Sequence, residues 1–217
     1  MDELLLRLGD QGSIRGRLDL RWPDALPMPS GEAELTVRRL NPAHLHSAFR
    51  NFRLDGQMSL ASDGETQQAR MALADGPRRL DAELIRRGDS LSLKRLLLGH
   101  GAGDLTGSGE LGLDAGHAWQ FSGRLRNFDP AAFASVPRAD LNGSIEASGQ
   151  WQPELGASMR FVLARSELAG EALSGSGDLR FSGLGRPADL IAANGKAQLG
   201  GQIELQWGAT RLQLQGG

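Results

Sequence analysis

The segment GSGELG at residues 107–112 has the spacing of a cofactor-binding motif. Gly-x-Gly-x-x-Gly is typical of a dinucleotide-binding turn, in which backbone N–H groups hold a pyrophosphate at the start of a helix. That turn requires a strand before it and a helix that starts inside it. Here apolar and polar residues go on alternating as far as Leu113, so the pattern predicts a strand and no dinucleotide site.

The four histidines do not predict a metal site. His44 and His46 lie two residues apart, and on the short helix that we expect there their side chains point in different directions. His100 and His117 lie among glycine and aspartate, which is typical of solvated turns. The chain has no cysteine, so thiolate ligands, disulfides and cysteine nucleophiles are excluded. No metal and no cofactor are predicted.

Paired carboxylates could cleave glycosidic bonds, but only where two of them share a pocket. The sequence pattern brings no two together, because the aspartates considered lie in separate predicted turns: Asp10, Asp24, Asp63, Asp75, Asp89 and Asp114. Neither a Gly-x-Ser-x-Gly nor a Ser–Lys nucleophile signature is present. The sequence therefore predicts a protein that is not an enzyme.

Composition narrows the class of protein further. The chain has 217 residues, of which 40% are hydrophobic and 23% charged, as in folded proteins. Its formal net charge of −2 gives no electrostatic attraction to nucleic acid, so no nucleic-acid partner is predicted. No run of about 18 apolar residues exists that could span a bilayer. The absence of cysteine fits a reducing cytosol, or an oxidising compartment if the protein is stable without disulfides.

The residues that could carry a function are instead the apolar members of alternating segments. In GKAQLGGQIELQWG, residues 195–208, apolar or small residues alternate with lysine, glutamine and glutamate. This period of two predicts a strand with one apolar and one polar face. The same alternation recurs along most of the chain, with turn signals such as SDGET and ADGPRR between the segments. The predicted fold class is mainly β, with about a dozen strands in an antiparallel-type sheet.

Two segments interrupt the alternation and match each other. RLNPAHLHSAF (39–49) and NFDPAAFASV (127–136) each contain Asn or Asp followed by Pro-Ala, which favours a short capped helix. Pro42 and Pro130 are 88 residues apart, and the glycines of the following strands, Gly56 and Gly143, are 87 apart. We predict one continuous β segment over 1–217, with an internal repeat of about 87 residues over 39–126 and 127–217. A third short helix is predicted at 186–195.

Two architectures fit such one-sided strands. The apolar faces could pack together in a closed β-sandwich, whose layers lie about 10 Å apart. Alternatively, the sheet could bend into a U-shaped groove with a few short helices. Glycines at positions such as Gly16, Gly107 and Gly177 fall on the apolar face, where a packed core would favour bulk. We expect the groove, and an exposed apolar groove suits acyl chains, which have no polar groups to satisfy.

The residues predicted to line this groove share the apolar phase of their strands. They are Ile14, Leu18, Leu20, Leu35, Val37, Leu54, Met58, Leu60, Met71, Leu73, Leu91, Leu93, Leu111, Leu113, Phe121, Leu125, Ile145, Met159, Phe161, Leu163, Leu179, Phe181, Leu199, Ile203, Leu205 and Leu212. Because the alternation continues to Leu214, we expect the chain to be a segment of a longer protein.

The repeats LNPAHL…RLDGQMSLASDG and FDPAAF…ADLNGSIEASG, together with GDLTGSGELGLDAG, resemble the AsmA/TamB superfamily of Gram-negative envelope proteins. The resemblance covers nearly the whole chain and is greatest to the TamB repeat region. It implies a long "β-taco" that conducts phospholipid across the periplasm, in a parent protein anchored in the inner membrane. The implied partners are adjoining segments of that parent protein and, through it, an outer-membrane barrel of the Omp85 class.

Two other functions were considered. Unfolded outer-membrane β-strands could bind to the groove or add to its edge strands, which would make the chain a chaperone-like scaffold. A parallel β-helix that cleaves polysaccharide would require turns of regular length and stacked acidic residues. The strand starts are too unevenly spaced for that enzyme, so the lipid conduit is the prediction and the scaffold its alternative.

Overall fold

A computed structural model describes residues 2–8, 12–22, 28–44, 46–152, 155–184 and 198–216. The strands are β1 Asp2–Leu8, β2 Gly12–Arg21, β3 Ser30–Leu40, β4 Leu54–Asp63, β5 Thr66–Asp75, β6 Arg78–Arg87, β7 Ser90–His100, β8 Gly103–Gly112, β9 Trp119–Phe128, β10 Ala139–Gln150, β11 Leu155–Leu168, β12 Glu171–Leu184, β13 Gln198–Trp207 and β14 Thr210–Gly216. Alternating apolar residues and short Gly- or Asp-containing turns produce these hairpins, as expected for strands with one apolar face.

All fourteen strands belong to one antiparallel sheet in which each strand pairs with its neighbours in the sequence. The order runs from β1 to β14, and these two strands are not paired with each other, so the sheet is not closed into a barrel. The prediction of a mainly β protein is confirmed. The described strands form a single hydrogen-bonded sheet, whereas a conventional sandwich, the alternative architecture, has two.

Within the described residues, helix is confined to two single turns of 3-10 helix, Pro42–His44 and Pro130–Ala132. The two interruptions are therefore shorter than the helices we expected over 39–49 and 127–136. Each belongs to a longer insert: the first insert is residues 41–53 between β3 and β4, and the second insert is residues 129–138 between β9 and β10. The predicted helix at 186–195 and the first insert's residue 45 lie outside the described residues.

The two inserts have the same local geometry. The side chains of Asn41 and Asp129 each accept a hydrogen bond from the backbone N–H two residues ahead, at 3.1 and 3.0 Å. Just before them, Arg39 and Asn127 have positive φ angles of 51° and 46°. The N–H of Arg39 donates to the side chain of Asp55, which precedes Gly56. In the same way, the N–H of Asn127 donates to the side chain of Asn142, which precedes Gly143. The spacing that suggested a repeat thus coincides with a repeated backbone conformation. The domain boundaries themselves remain a prediction.

The main hydrophobic cluster forms where the two inserts meet the sheet. Phe52 from the first insert packs edge-to-face on Phe133 of the second, and Phe133 stacks on Phe128 at the end of β9. Buried residues of the sheet complete the cluster, and Val37 is only 1% exposed. Partly buried residues from β2 to β10 pack around it: Ile14, Leu40, Met58, Met71, Leu80, Leu98, Leu105, Leu125 and Leu141. The inserts therefore supply the cover for this part of the sheet's apolar face.

Candidate functional site

The candidate site is the apolar face of the sheet, which we call the apolar strip. Directly paired residues of an antiparallel ladder share a face, so the register defines rows that run across the strands. Row 1 comprises Leu6, Ile14, Val37, Gly56, Leu73, Leu80, Leu98, Leu105, Leu125, Gly143, Leu163, Gly175, Leu205 and Leu212. It lies at the sheet margin that carries the inserts.

Two further rows continue the strip away from the inserts. Row 2 comprises Leu4, Gly16, Leu35, Met58, Met71, Ala82, Leu96, Gly107, Gly123, Ile145, Phe161, Gly177, Ile203 and Leu214. Row 3 comprises Leu18, Ala33, Leu60, Ala69, Leu84, Leu93, Gly109, Phe121, Ala147, Met159, Leu179 and Gly201. Row 3 also includes Asp2 at the start of β1 and Gly216 at the end of β14, so the strip crosses β2–β14 without a charged residue in these three rows.

Row 4, at the opposite margin, has three adjacent polar members. It comprises Leu20, Gly31, Ser62, Gln67, Arg86, Leu91, Leu111, Trp119, Gly149, Ala157, Phe181 and Leu199. Ser62, Gln67 and Arg86 are cross-strand neighbours on β4, β5 and β6. Polar residues of the apolar face therefore lie at both margins: these three in row 4, and Asp75, Arg78 and His100, which pair with one another beyond row 1 beneath the inserts.

The register places nearly all of the predicted lining residues on this one face. Leu54 begins β4 in phase with Gly56 and is 3% exposed beneath the inserts. The exception is Leu113, which follows the end of β8, where its N–H bonds to the carbonyl of Asp89. Leu113 was assigned to the strand because the alternation ran on, but β8 ends at Gly112. Whether the other residues line a lipid path remains a prediction.

The predicted lining residues leave out eight leucines of rows 1–3: Leu4, Leu6, Leu80, Leu84, Leu96, Leu98, Leu105 and Leu214. Of these, only Leu96 and Leu98 on β7 belong to no alternating segment of the sequence prediction. A β-bulge at Lys94 and Arg95 adds one residue to β7, because Leu93 and Leu96 pair with Gly109 and Gly107. An extra residue reverses the phase of the alternation beyond it. The run LLL at 96–98 has no period of its own, so nothing in the sequence showed which leucines face the strip.

Cover over the strip is uneven. Beneath the inserts, Val37, Leu73 and Leu54 are 1–3% exposed. At the far margin and on the last strand, exposure rises to 41% at Leu20 and 54% at Leu214. Large apolar side chains on the same face thus go from core-like burial to open contact with solvent.

The glycines on the apolar face do not leave free space in the way the sequence suggested. A Cβ atom added at Gly107 or Gly177 would lie 2.5 Å from the ring of Phe121 or Phe161, respectively. At Gly143, whose φ is +151°, it would lie 1.9 Å from the carbonyl oxygen of Val162. The close approach that requires glycine here is made by the sheet's own rings and backbone, not by a guest.

Most of the ion pairs in the described residues lie on the polar face. Arg160 donates to Asp178 at 2.9 Å and lies 3.9 Å from Glu146, and the hydrogen bond that it donates to Asp178 raises the pKa of Arg160. Arg211 and Gln213 donate to Glu204 and lower its pKa. A cleft of about 640 Å³ lies over β7–β12 and includes Lys94, Ser122, Ser148, Arg160 and Arg180. The lining of this cleft contains both basic and acidic side chains, so the cleft has no strong preference for an anion or a cation.

Residues considered for catalysis or metal binding are dispersed. Gly107, Gly109 and Gly112 of the Gly-x-Gly-x-x-Gly motif all lie within β8, without the strand-to-helix turn of a dinucleotide site. The Nδ1 atom of His46 accepts a hydrogen bond from the N–H of Ala48. Within the described residues, no group of three or more His, Asp or Glu side chains is placed to hold a metal ion. Asp10 and Asp24 lie outside the described residues.

The fold and the site define a one-sheet antiparallel β protein with an extended apolar face. Comparisons with known protein families, curated proteins and solved structures found no match to this chain. No helix in the described part of the chain is both long and apolar enough to cross a membrane.

Proposed function

We propose that this chain is a segment of a non-enzymatic conduit whose apolar strip carries the acyl chains of phospholipids. The observation that carries the proposal is that rows 1–3 each continue from strand to strand across the sheet. At about 4.8 Å between strands, fourteen strands give a path of roughly 60 Å, which is much longer than one lipid. Acyl chains need no hydrogen-bond partners, and these three rows offer none.

A sheet bent into a U around the strip would suit this role, and the inserts favour such a bend. They follow β3 and β9, which would lie about 29 Å apart on a flat sheet. Nevertheless the N–H of Arg50 and the carbonyl of Phe133 are 2.8 Å apart. Between them, Arg78 on β6 donates from Nε to the carbonyl of Ala132 at 2.7 Å and lies over the ring of Phe52.

The resemblance to the AsmA/TamB superfamily supplies the proposed setting. The parent protein would be anchored in the inner membrane, and this segment would lie in the periplasm of a Gram-negative envelope. The segment would pass phospholipid between the inner and outer membranes, with an Omp85-class barrel as the outer-membrane partner.

Photo-crosslinking tests whether lipid occupies the strip. A benzophenone amino acid is placed at Leu111, Phe161 or Leu205 on the strip, and at Glu110 or Gln206 on the polar face as matched controls. Mass spectrometry of the protein purified from bacterial membranes is expected to find phospholipid adducts at the strip positions. Equal adducts at both faces, or adducts only at the controls, would contradict the proposal.

Open strand edges favour the chaperone-like scaffold as a second candidate. In the described sheet, β1 and β14 each pair on one side only, and such edges can add a further strand. Peptides of unfolded outer-membrane proteins, rather than lipid, would then form the adducts. The same crosslinking experiment, with probes added at Thr210 and Gln213 on β14, separates the two candidates.

A further inference from the structure

The margin of the apolar strip opposite the inserts contains a small pocket with an unusual lining. It has a volume of about 310 Å³ and lies among Leu20, Met28, Leu60, Leu84 and Leu91. The three polar neighbours of row 4, Ser62, Gln67 and Arg86, all belong to its lining. An almost wholly apolar pocket thus has a cation and an amide at one side.

Arg86 is a partly buried cation on the apolar face. Its Nε donates to the carbonyl of Gly88 at 3.2 Å, and one Nη lies 3.8 Å from the sulfur of Met28. In the part of the chain that the structure describes, no carboxylate forms an ion pair with it. A guanidinium has five N–H donors and favours planar contact with carboxylate or phosphate oxygens, so donors remain for a ligand.

Gln67 adds a second donor beside it. Gln67 and Arg86 are directly paired on β5 and β6, and the Nε2 of Gln67 is buried without an acceptor among the described residues. Leaving such a buried donor without an acceptor is energetically unfavourable. The other buried side-chain nitrogen without an acceptor in the described part is Nε1 of Trp119, which also lies in row 4. Both of these side-chain N–H donors without an acceptor therefore lie along this margin.

From this geometry we propose that Arg86 and Gln67 bind the phosphodiester of a phospholipid headgroup while its acyl chains lie on the apolar strip. The inference rests on the proposed function and adds which part of the lipid is recognised, and where. Phosphate oxygens are anionic acceptors that match the charge of Arg86 and the free N–H of Gln67. Apolar walls on the remaining sides favour a phosphate that carries acyl chains over a free phosphate ion.

The test compares three probes on the full chain: dihexanoyl phosphatidylglycerol, dihexanoylglycerol without phosphate, and inorganic phosphate. Affinity is measured by native mass spectrometry and calorimetry. The phospholipid is expected to bind at least about tenfold more tightly than either of the others, because a hydrogen bond to a charged group typically contributes that much. This comparison needs no variant, so it stands even if a substitution prevents folding.

Variants then locate the effect. Arg86→Gln and Gln67→Leu are expected to remove the preference for the phospholipid while dihexanoylglycerol still binds. Arg87→Gln is the matched control, because Arg87 is the next residue of β6, exposed on the polar face. Circular dichroism and thermal melting verify that the variants fold.

Each contrary outcome has a separate meaning. Equal affinity of the wild type for both lipids, or equal loss in Arg87→Gln and Arg86→Gln, would overturn the headgroup site and leave the conduit intact. Binding of inorganic phosphate as tight as that of the phospholipid would show an anion site unconnected with lipid. If neither lipid binds, the proposed function fails, and the headgroup site fails with it.

Discussion

The backbone N–H of Arg50 donates to the carbonyl oxygen of Phe133 at 2.8 Å and so joins two inserts that leave the sheet six strands apart. The Nε of Arg50 also donates to the carbonyl of Ala134 at 3.2 Å, and Phe49 forms an isolated bridge with the same residue. The contact between the two inserts therefore spans the six strands β4–β9. This contact and the cluster beneath it connect the two inserts to each other and to the sheet.

Phe133→Ala is expected to lower the free energy of unfolding by about 3–5 kcal/mol, because the ring fills the space between Phe52 and Phe128 and its loss leaves a cavity. Chemical denaturation followed by circular dichroism measures the effect. Val136→Ala in the same insert, 42% exposed, is the control and is expected to change stability by less than about 0.5 kcal/mol. Similar losses in both variants would contradict the assignment of this cluster as the core.

Ile203→Arg is expected to leave the sheet folded but to stop lipid transfer between vesicles, since the position lies in row 2 and is only partly buried. Gln202→Arg, the next residue on the polar face, is the matched control and should transfer lipid normally. Val37→Asp on the same face is expected to prevent folding, because that side chain is 1% exposed and an unpaired charge there is very costly. Unfolding of Ile203→Arg would indicate a closed core instead of an open strip.

Gly143→Ala is expected to destabilise the fold by about 2–4 kcal/mol, because φ is +151° and the new Cβ would meet the carbonyl of Val162. Gly88→Ala has a positive φ of 53° but open space around the Cβ, so about 1 kcal/mol is expected there. Thermal melting of both variants measures the difference. Equal shifts in Tm would show that steric contact with β11 is not what requires glycine at 143.

Asp63 predicts a pH dependence of stability. Hydrogen bonds from the backbone N–H groups of Thr66 and Glu65 lower the pKa of this carboxyl below its ordinary value. A carboxyl with a lowered pKa stabilises the folded state above its unfolded pKa, and this contribution is lost as the pH falls through the folded pKa. The stability difference between wild type and Asp63→Asn is therefore expected to shrink in acid. A difference that does not change between pH 7 and pH 2 would contradict this.

The sequence predicted the strands well because the alternation of apolar and polar residues follows directly from a one-sided sheet. Asn41 and Asp129 likewise marked both inserts. The covering role of the inserts could not be predicted, because it depends on Phe52 and Phe133 meeting across strands that are far apart in the sequence. Nor could the alternation distinguish a single sheet from a sandwich of two sheets, since both architectures bury the same residues. Leu96 and Leu98 could not be assigned to the apolar face, because the bulge at Lys94 shifts the alternation and three consecutive leucines do not show which of them face the strip.

The strictly sequential strand order has a consequence for how such a chain changes in length. Each described strand pairs only with the strands just before and after it. Removing one hairpin would let the two flanking strands pair with each other and would leave all other pairings unchanged. Linear arrays with nearest-neighbour interactions can gain or lose units in this way without rerouting the chain. Evolution could thus adjust the span of this protein two strands at a time, with the insert-bearing hairpins as the units that resist deletion.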